Sequence, residues 1–187
     1  MNTTVLLFAV TLALFSVLVH LWVRAWFRAA GERVVTCPES HQAAGITLAA
    51  ARAATGAVLG GSEPVIRSCS RWPEKGGCGQ ECLAEIHAAA DGCLVREKVR
   101  AWYEGKSCVR CSRDLSPACW QHNRPALRVP DGHTRTWASL RPEEVPAALA
   151  TDEPICWDCH VLVDFVQRFP GRAVLRDKRG HDAAYDS

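Results

Sequence analysis

Two Cys-x-x-Cys pairs, Cys108-Val-Arg-Cys111 and Cys156-Trp-Asp-Cys159, constrain this chain more than any other feature. Together they can supply the four thiolates of a tetrahedral zinc centre, with Zn–S bonds of about 2.3 Å. Ion binding then contributes directly to folding, so less apolar core is needed. Ten cysteines in 187 residues is a dense set, at positions 37, 69, 78, 82, 93, 108, 111, 119, 156 and 159. In a reducing compartment such a set reads first as metal ligands, because structural disulfides do not persist there.

The compartment follows from the amino-terminal run. From Val5 to Val23 no residue is charged, and only Thr11, Ser16 and His20 interrupt the apolar stretch. As a helix it spans roughly 28 Å, close to the hydrocarbon thickness of a bilayer. Trp22 and Trp26 stand where an aromatic belt would place them. A cleaved signal wants a positive start and a shorter run. Met1 to Thr4 carries no Lys or Arg, although Ala29-Ala30-Gly31 would serve as a cleavage site. Arg24, Arg28 and Arg33 follow the run, and the positive-inside rule puts that end in the cytoplasm. The expectation is a single-pass inner-membrane protein, amino terminus outside and carboxy-terminal domain cytoplasmic, with a periplasmic domain as the alternative. His20 then lies neutral near the cytoplasmic interface.

The net charge is +2, and the domain beyond the three flanking arginines is balanced in acid and base. It lacks the basic footprint of a general nucleic-acid binder, so none is expected. Local patterns predict a small α+β domain. Val34 to Cys37 and Gly45 to Leu48 read as strands, Ala49 to Val58 as a helix ended by Gly60-Gly61, and Val65-Ile66 as a strand leading to Cys69. Val95, Val99, Trp102 and Tyr103 share one helical face before Gly105, as do Leu162, Phe165, Val166 and Phe169 before Pro170. Between them, Leu127 and Val129, the Asp131-Gly132 turn, and Thr134, Thr136 and Trp137 form a candidate hairpin. Pro142 to Leu149 reads as a short helix, and the chain beyond Arg176 as a polar tail. The divisions expected are an anchor at 1–27, a juxtamembrane linker at 28–36, a Cys-rich part at 37–104, a metal-binding part at 105–172 and a tail at 173–187.

The order of knuckle, hairpin, then a helix opened by Cys156 and Cys159 resembles a treble-clef or zinc-ribbon-like finger over about residues 105–169. That resemblance implies metal without implying a function. Lys106, Arg110 and Arg113 are placed to offset the negative charge of a tetrathiolate centre. The order Cys37-Pro-Glu, Cys69-Ser-Arg-Trp72-Pro, Cys156-Trp-Asp-Cys159-His160 is also similar to uncharacterised bacterial membrane-anchored, Cys-rich proteins, a likeness that implies no reaction.

Cys37, Cys69, Cys78 and Cys82 make a second, weaker four-thiol set, with Cys78 and Cys82 one helical turn apart and His41 as a possible substitute ligand. Cys93 and Cys119 read as small buried apolar side chains. Three rival chemistries share these residues. Cys156, Cys159 and His160 match the Cys-x-x-Cys-His of c-type haem attachment, which would make the chain a membrane-tethered electron carrier. Thiolates suit an iron–sulfur cluster as well as zinc. Either pair could exchange disulfides, although no βαβ pattern surrounds it. No phosphate loop, nucleophile elbow or HExxH is present, and Glu143-Glu144, Asp152-Glu153, His122 and Asp131 read as surface groups. The tryptophans 72, 102, 120, 137 and 157 read as packing. The function expected is a scaffold or interaction module at the membrane, engaging the lipid bilayer and a protein partner or larger membrane complex, without chemistry of its own.

Overall fold

In the computed structural model, which describes residues 3–61, 63–72, 77–116, 124–170, 175–176 and 182–183, the uncharged run forms one long helix, α1 (Thr3–Ala29). Its side chains from Val5 to Phe27 are largely exposed. With a mean hydropathy of 2.4 over its most apolar window, it is long and apolar enough to cross a membrane. Two residues, Ala30 and Gly31, separate it from β1 (Glu32–Thr36). The chain divides into two units: Met1–Arg100 with Arg141–Pro146, and Ala101–Leu140 with Ala147–Ser187.

In the first unit β1 is followed by β2 (Ala43–Leu48), α2 (Ala50–Leu59), β3 (Ile66–Cys69), α3 (Leu83–Ala88) and the start of α4 (Val95–Tyr103). The strands form an antiparallel sheet in the order β1-β2-β3, with Val34 opposite Gly45 and Ile46 opposite Cys69. Val35, Ala44, Ile46, Leu48, Ile66, Ile86 and Cys93 make its core. Helix α2 packs along α1, where Trp22 Nε1 donates to Thr55 Oγ1 at 3.1 Å.

The carbonyl end of α1 is held by two arginines. Arg33, only 3% exposed, donates to the carbonyls of Arg28 and Ala29 and to that of Gly92. Arg96 donates to Phe27 and Ala30. Cations satisfy the last orphan carbonyls of a helix and oppose its negative dipole end. The sequence marked Arg33 only as a topological flank; in the fold it is a buried clamp.

In the second unit, β4 (Ala126–Arg128) pairs antiparallel with β5 (Thr134–Arg135) and β6 (Glu153–Ile155), in the order β5-β4-β6. Gly132, at φ 91°, turns the chain between β4 and β5, supported by Asp131 accepting from the His133 N–H at 2.9 Å. The hairpin is shorter than its sequence pattern: Thr136 and Trp137 leave the strand, and Trp137–Ser139 is a 3-10 turn. Pro142–Glu144, which belongs to the first unit, is likewise a 3-10 turn, and α5 (Val145–Thr151) follows it, returning the chain to the second. Helix α6 (Trp157–Arg168) follows β6, and the short strands β7 (Leu175–Arg176) and β8 (Asp182–Ala183) pair beyond it.

Tyr103 anchors this core. Its hydroxyl donates to the Ala126 carbonyl at 2.7 Å and accepts from Trp137 Nε1 at 3.1 Å. The rings of Trp102, Tyr103 and Trp137 meet edge to face, the arrangement their quadrupoles favour. Helix α6 corrects the expected apolar face: Phe165 and Phe169 are exposed, while Leu162, Val163 and Val166 are half-buried. Cys119, Trp120, His122 and most of the expected tail lie outside the described residues.

Candidate metal centre

Local chain geometry delivers each thiol of the first set. Before α6, β6 runs alongside β4 and ends at Cys156, which caps the helix with its backbone extended and its side chain making no capping bond. That sulfur is therefore free for another partner. Cys159 follows one turn into α6 and is the helix's buried residue. Across from them, Cys108 and Cys111 lie in a tight loop. The Cys108 N–H bonds the Arg113 carbonyl at 2.8 Å, the Ser112 N–H bonds the Cys108 carbonyl at 2.9 Å, and Ser112 takes φ 57°. The Val109 N–H bonds the Pro154 carbonyl at 3.0 Å, fastening this loop to β6.

The outcome is four sulfurs, from Cys108, Cys111, Cys156 and Cys159, all within 4.8 Å of one another. Cys111 and Cys156 Sγ stand 3.6 Å apart. A disulfide would need about 2.05 Å, and the nine described cysteines are all free. Tetrahedral zinc with Zn–S bonds near 2.3 Å places its sulfurs about 3.8 Å apart, so the set fits the ion. Cys108, Cys156 and Cys159 are buried, while Cys111 is exposed. The Cys156 N–H points at Cys108 Sγ at 3.3 Å, the kind of donor that steadies a thiolate.

The protonation balance also fits a cation. Burial pushes the Cys108 thiol up, but backbone donors from Cys156, Cys111 and Arg110 more than reverse this, to about 7. Burial raises Cys156 and Cys159; the neighbouring sulfurs push Cys159 further, while on Cys156 the rise from Cys111 and Cys108 is opposed by Cys159. Four thiols this close resist ionising together unless a positive ion joins them. Of the expected charge partners, Arg113 is paired with Asp158 at 2.6 Å, bridging the loop to α6. Lys106 instead stands over the Trp102 ring, 3.5 Å from its centroid, and Arg110 is exposed. Asp158 was missed at the sequence level; its charge, between two cysteines and opposite in sign to Arg113, was the available signal.

The Cys156 and Cys159 sulfurs that haem attachment would use lie in the four-thiol cluster; His160 Nδ1 is 2.7 Å from Thr134 Oγ1, and its imidazole lies against Trp157. Burial lowers the His160 pKa.

The second set, Cys37, Cys69, Cys78 and Cys82, lines one cavity of about 20 Å³ in the first unit, beside Trp72 and Ile66. Among the described residues, only the first set brings every ligand atom of a group within 4.8 Å. Cys78 does not share a helix with Cys82 as its spacing implied: α3 starts after Cys82, and Gln80 at φ 58° breaks the chain between them. His41 is an exposed turn residue at φ 53°. Cys93 is 1% exposed and packs in the core, as its reading as a small apolar side chain expected. Comparison of the chain with known protein families, with curated proteins and with solved structures finds no match.

Proposed function

We propose that this chain is a single-pass membrane protein whose second unit is held together by a structural tetrathiolate zinc centre, and that it works as an interaction scaffold at the bacterial inner membrane. The observation that carries this reading is the convergence of Cys108, Cys111, Cys156 and Cys159 within 4.8 Å. Four thiolates fill a tetrahedral zinc ion and leave no position for an activated water, so the centre stabilises rather than reacts. The succession of Cys loop, β4–β5 hairpin and α6 supports a treble-clef-like description. Arg24 and Arg28, at the inner end of α1, support a cytoplasmic domain.

The scaffold role draws on the surface of α6. Trp157, Val161, Phe165 and Phe169 recur every fourth residue and are each 39% to 47% exposed. A helical stripe of this kind is what an apolar protein partner would cover. The helix that supplies two metal ligands thus also presents the stripe, so the ion holds the docking surface in shape.

The test is elemental analysis and absorption spectroscopy of the full-length protein purified in mild detergent. The expected result is bound zinc without visible absorption. Cys159→Ser should release about one ion per chain and lower the unfolding temperature. A Soret band, stoichiometric iron, or wild-type zinc content in Cys159→Ser would overturn the reading.

A further inference from the structure

The loop around Cys37 in the first unit repeats, bond for bond, the loop that presents Cys108 in the second. The Cys37 N–H bonds the Gln42 carbonyl at 2.9 Å, and the His41 N–H bonds the Cys37 carbonyl at 2.8 Å. In the other loop the matching bonds run from Cys108 to Arg113 at 2.8 Å and from Ser112 to Cys108 at 2.9 Å. Both loops turn on a non-glycine residue in the left-handed region, His41 at φ 53° and Ser112 at φ 57°. That conformation is costly for a side-chain-bearing residue. Its appearance at the same place in both loops marks one device used twice.

The device differs at one position. Where the second unit has Cys111, the Cys37 loop has Ser40, whose hydroxyl reaches the Cys37 thiol. The loop therefore offers one thiol, and three more reach the same cavity. Cys69 ends β3, Cys82 stands directly before α3, and Cys78 lies in the turn between. Like Cys156 before α6, Cys82 makes no side-chain capping bond. Cys78 Sγ receives the Gln80 N–H at 3.4 Å, matching the Cys156 N–H on Cys108 Sγ. Gln80 also accepts from the Ile66 N–H at 3.1 Å, which holds this turn against β3.

Core packing accounts for Cys82, which is buried beside Cys93, and Cys37 and Cys69 lie half-buried against that core; Cys78, by contrast, is exposed. The cavity they line, about 20 Å³, has room for a single ion-sized body and excludes an organic cofactor. Cys78, on the surface, is the ligand with freedom to close the set.

We propose that Cys37, Cys69, Cys78 and Cys82 form a second thiolate centre for a zinc-class divalent cation, built on the same backbone loop as the first. Thiolate donors select zinc over hard cations such as magnesium or calcium.

The test uses full-length protein in detergent, purified with zinc and freed of excess ion. Wild type should carry about two zinc ions per chain, and Cys78→Ser and the double variant Cys108→Ser/Cys111→Ser about one each. Adding Ser40→Cys to Cys78→Ser should restore the second ion, because it completes the paired loop. The independent measurement is maleimide labelling of the unmutated protein, read by mass spectrometry. Cys78 should react at least about tenfold faster once the zinc is chelated, since the free thiol is exposed and a metal-bound thiolate is shielded. Wild-type zinc content in Cys78→Ser, or labelling of Cys78 at one rate with and without zinc, overturns the proposal. Neither outcome depends on the first centre, which the double variant reports separately.

Discussion

Tyr103 and Asp152 show how single side chains set the stability of the second unit. The Tyr103 hydroxyl is almost fully buried and serves both the Ala126 carbonyl and the Trp137 indole. Tyr103→Phe leaves both partners short, and denaturant titration should show a loss of about 1–3 kcal/mol. Asp152 has a fully buried side chain gripped by Arg135, whose Nε and Nη2 lie 2.9 and 2.7 Å from Oδ2. The sequence marked Asp152 as solvated surface because it adjoins Glu153; adjacency says nothing of burial, and only tertiary packing reveals it. Arg135→Ala strands that carboxylate and should cost about 3 kcal/mol or more in the same titration. The thiols make a sharper case. Cys159 and Cys156 are raised above the ordinary 9.0, so metal-free protein keeps them neutral where the unfolded chain ionises. Metal-free protein should therefore lose stability as pH climbs past about 9. Zinc-loaded protein holds them as thiolates and should show no such loss, shedding its ion instead as acid protonates the ligands. Thermal melts across pH, with and without chelator, read both trends.

Elements were legible where periodicity had room to speak. The β1–β2 hairpin, α2 up to Gly60, and α4 with Val99 and Tyr103 buried all follow their patterns, since each buries one regular face. Strand β6 did not show, because Glu153-Pro154-Ile155 is three residues long with proline in the middle. That proline is tolerated because β6 is an edge strand, paired only with β4 in its sheet. Yet β6 positions Cys156, so the cysteine spacing was legible in the sequence while the strand that supports the cluster stayed hidden. The α6 pattern misled for a different reason: its apolar residues exceed one face, and the second face is exposed. Close packing of elements gives another prediction. A Cβ on Gly45 of β2 would lie 2.9 Å from Pro142 Cβ and 2.6 Å from Glu143 Oε2 in the 3-10 turn packed against it. Gly45→Ala should destabilise the first unit by about 1–3 kcal/mol, seen as a lower melting temperature.

At the scale of the whole chain, topology is the open quantity that experiment reads most directly. The arginines after α1 predict that an alkaline-phosphatase fusion at the carboxyl terminus is inactive and that a cytoplasmic reporter there is active. The protein should also resist alkaline carbonate extraction from membranes, as a spanning helix does and a cleaved signal would not. Only Ala30 and Gly31 lie between α1 and the first sheet, and Arg33 and Arg96 grip the last carbonyls of the helix. Such a joint cannot act as a swivel. Where α1 spans a bilayer as proposed, a change in its tilt would carry that sheet with it, as a handle turns its blade.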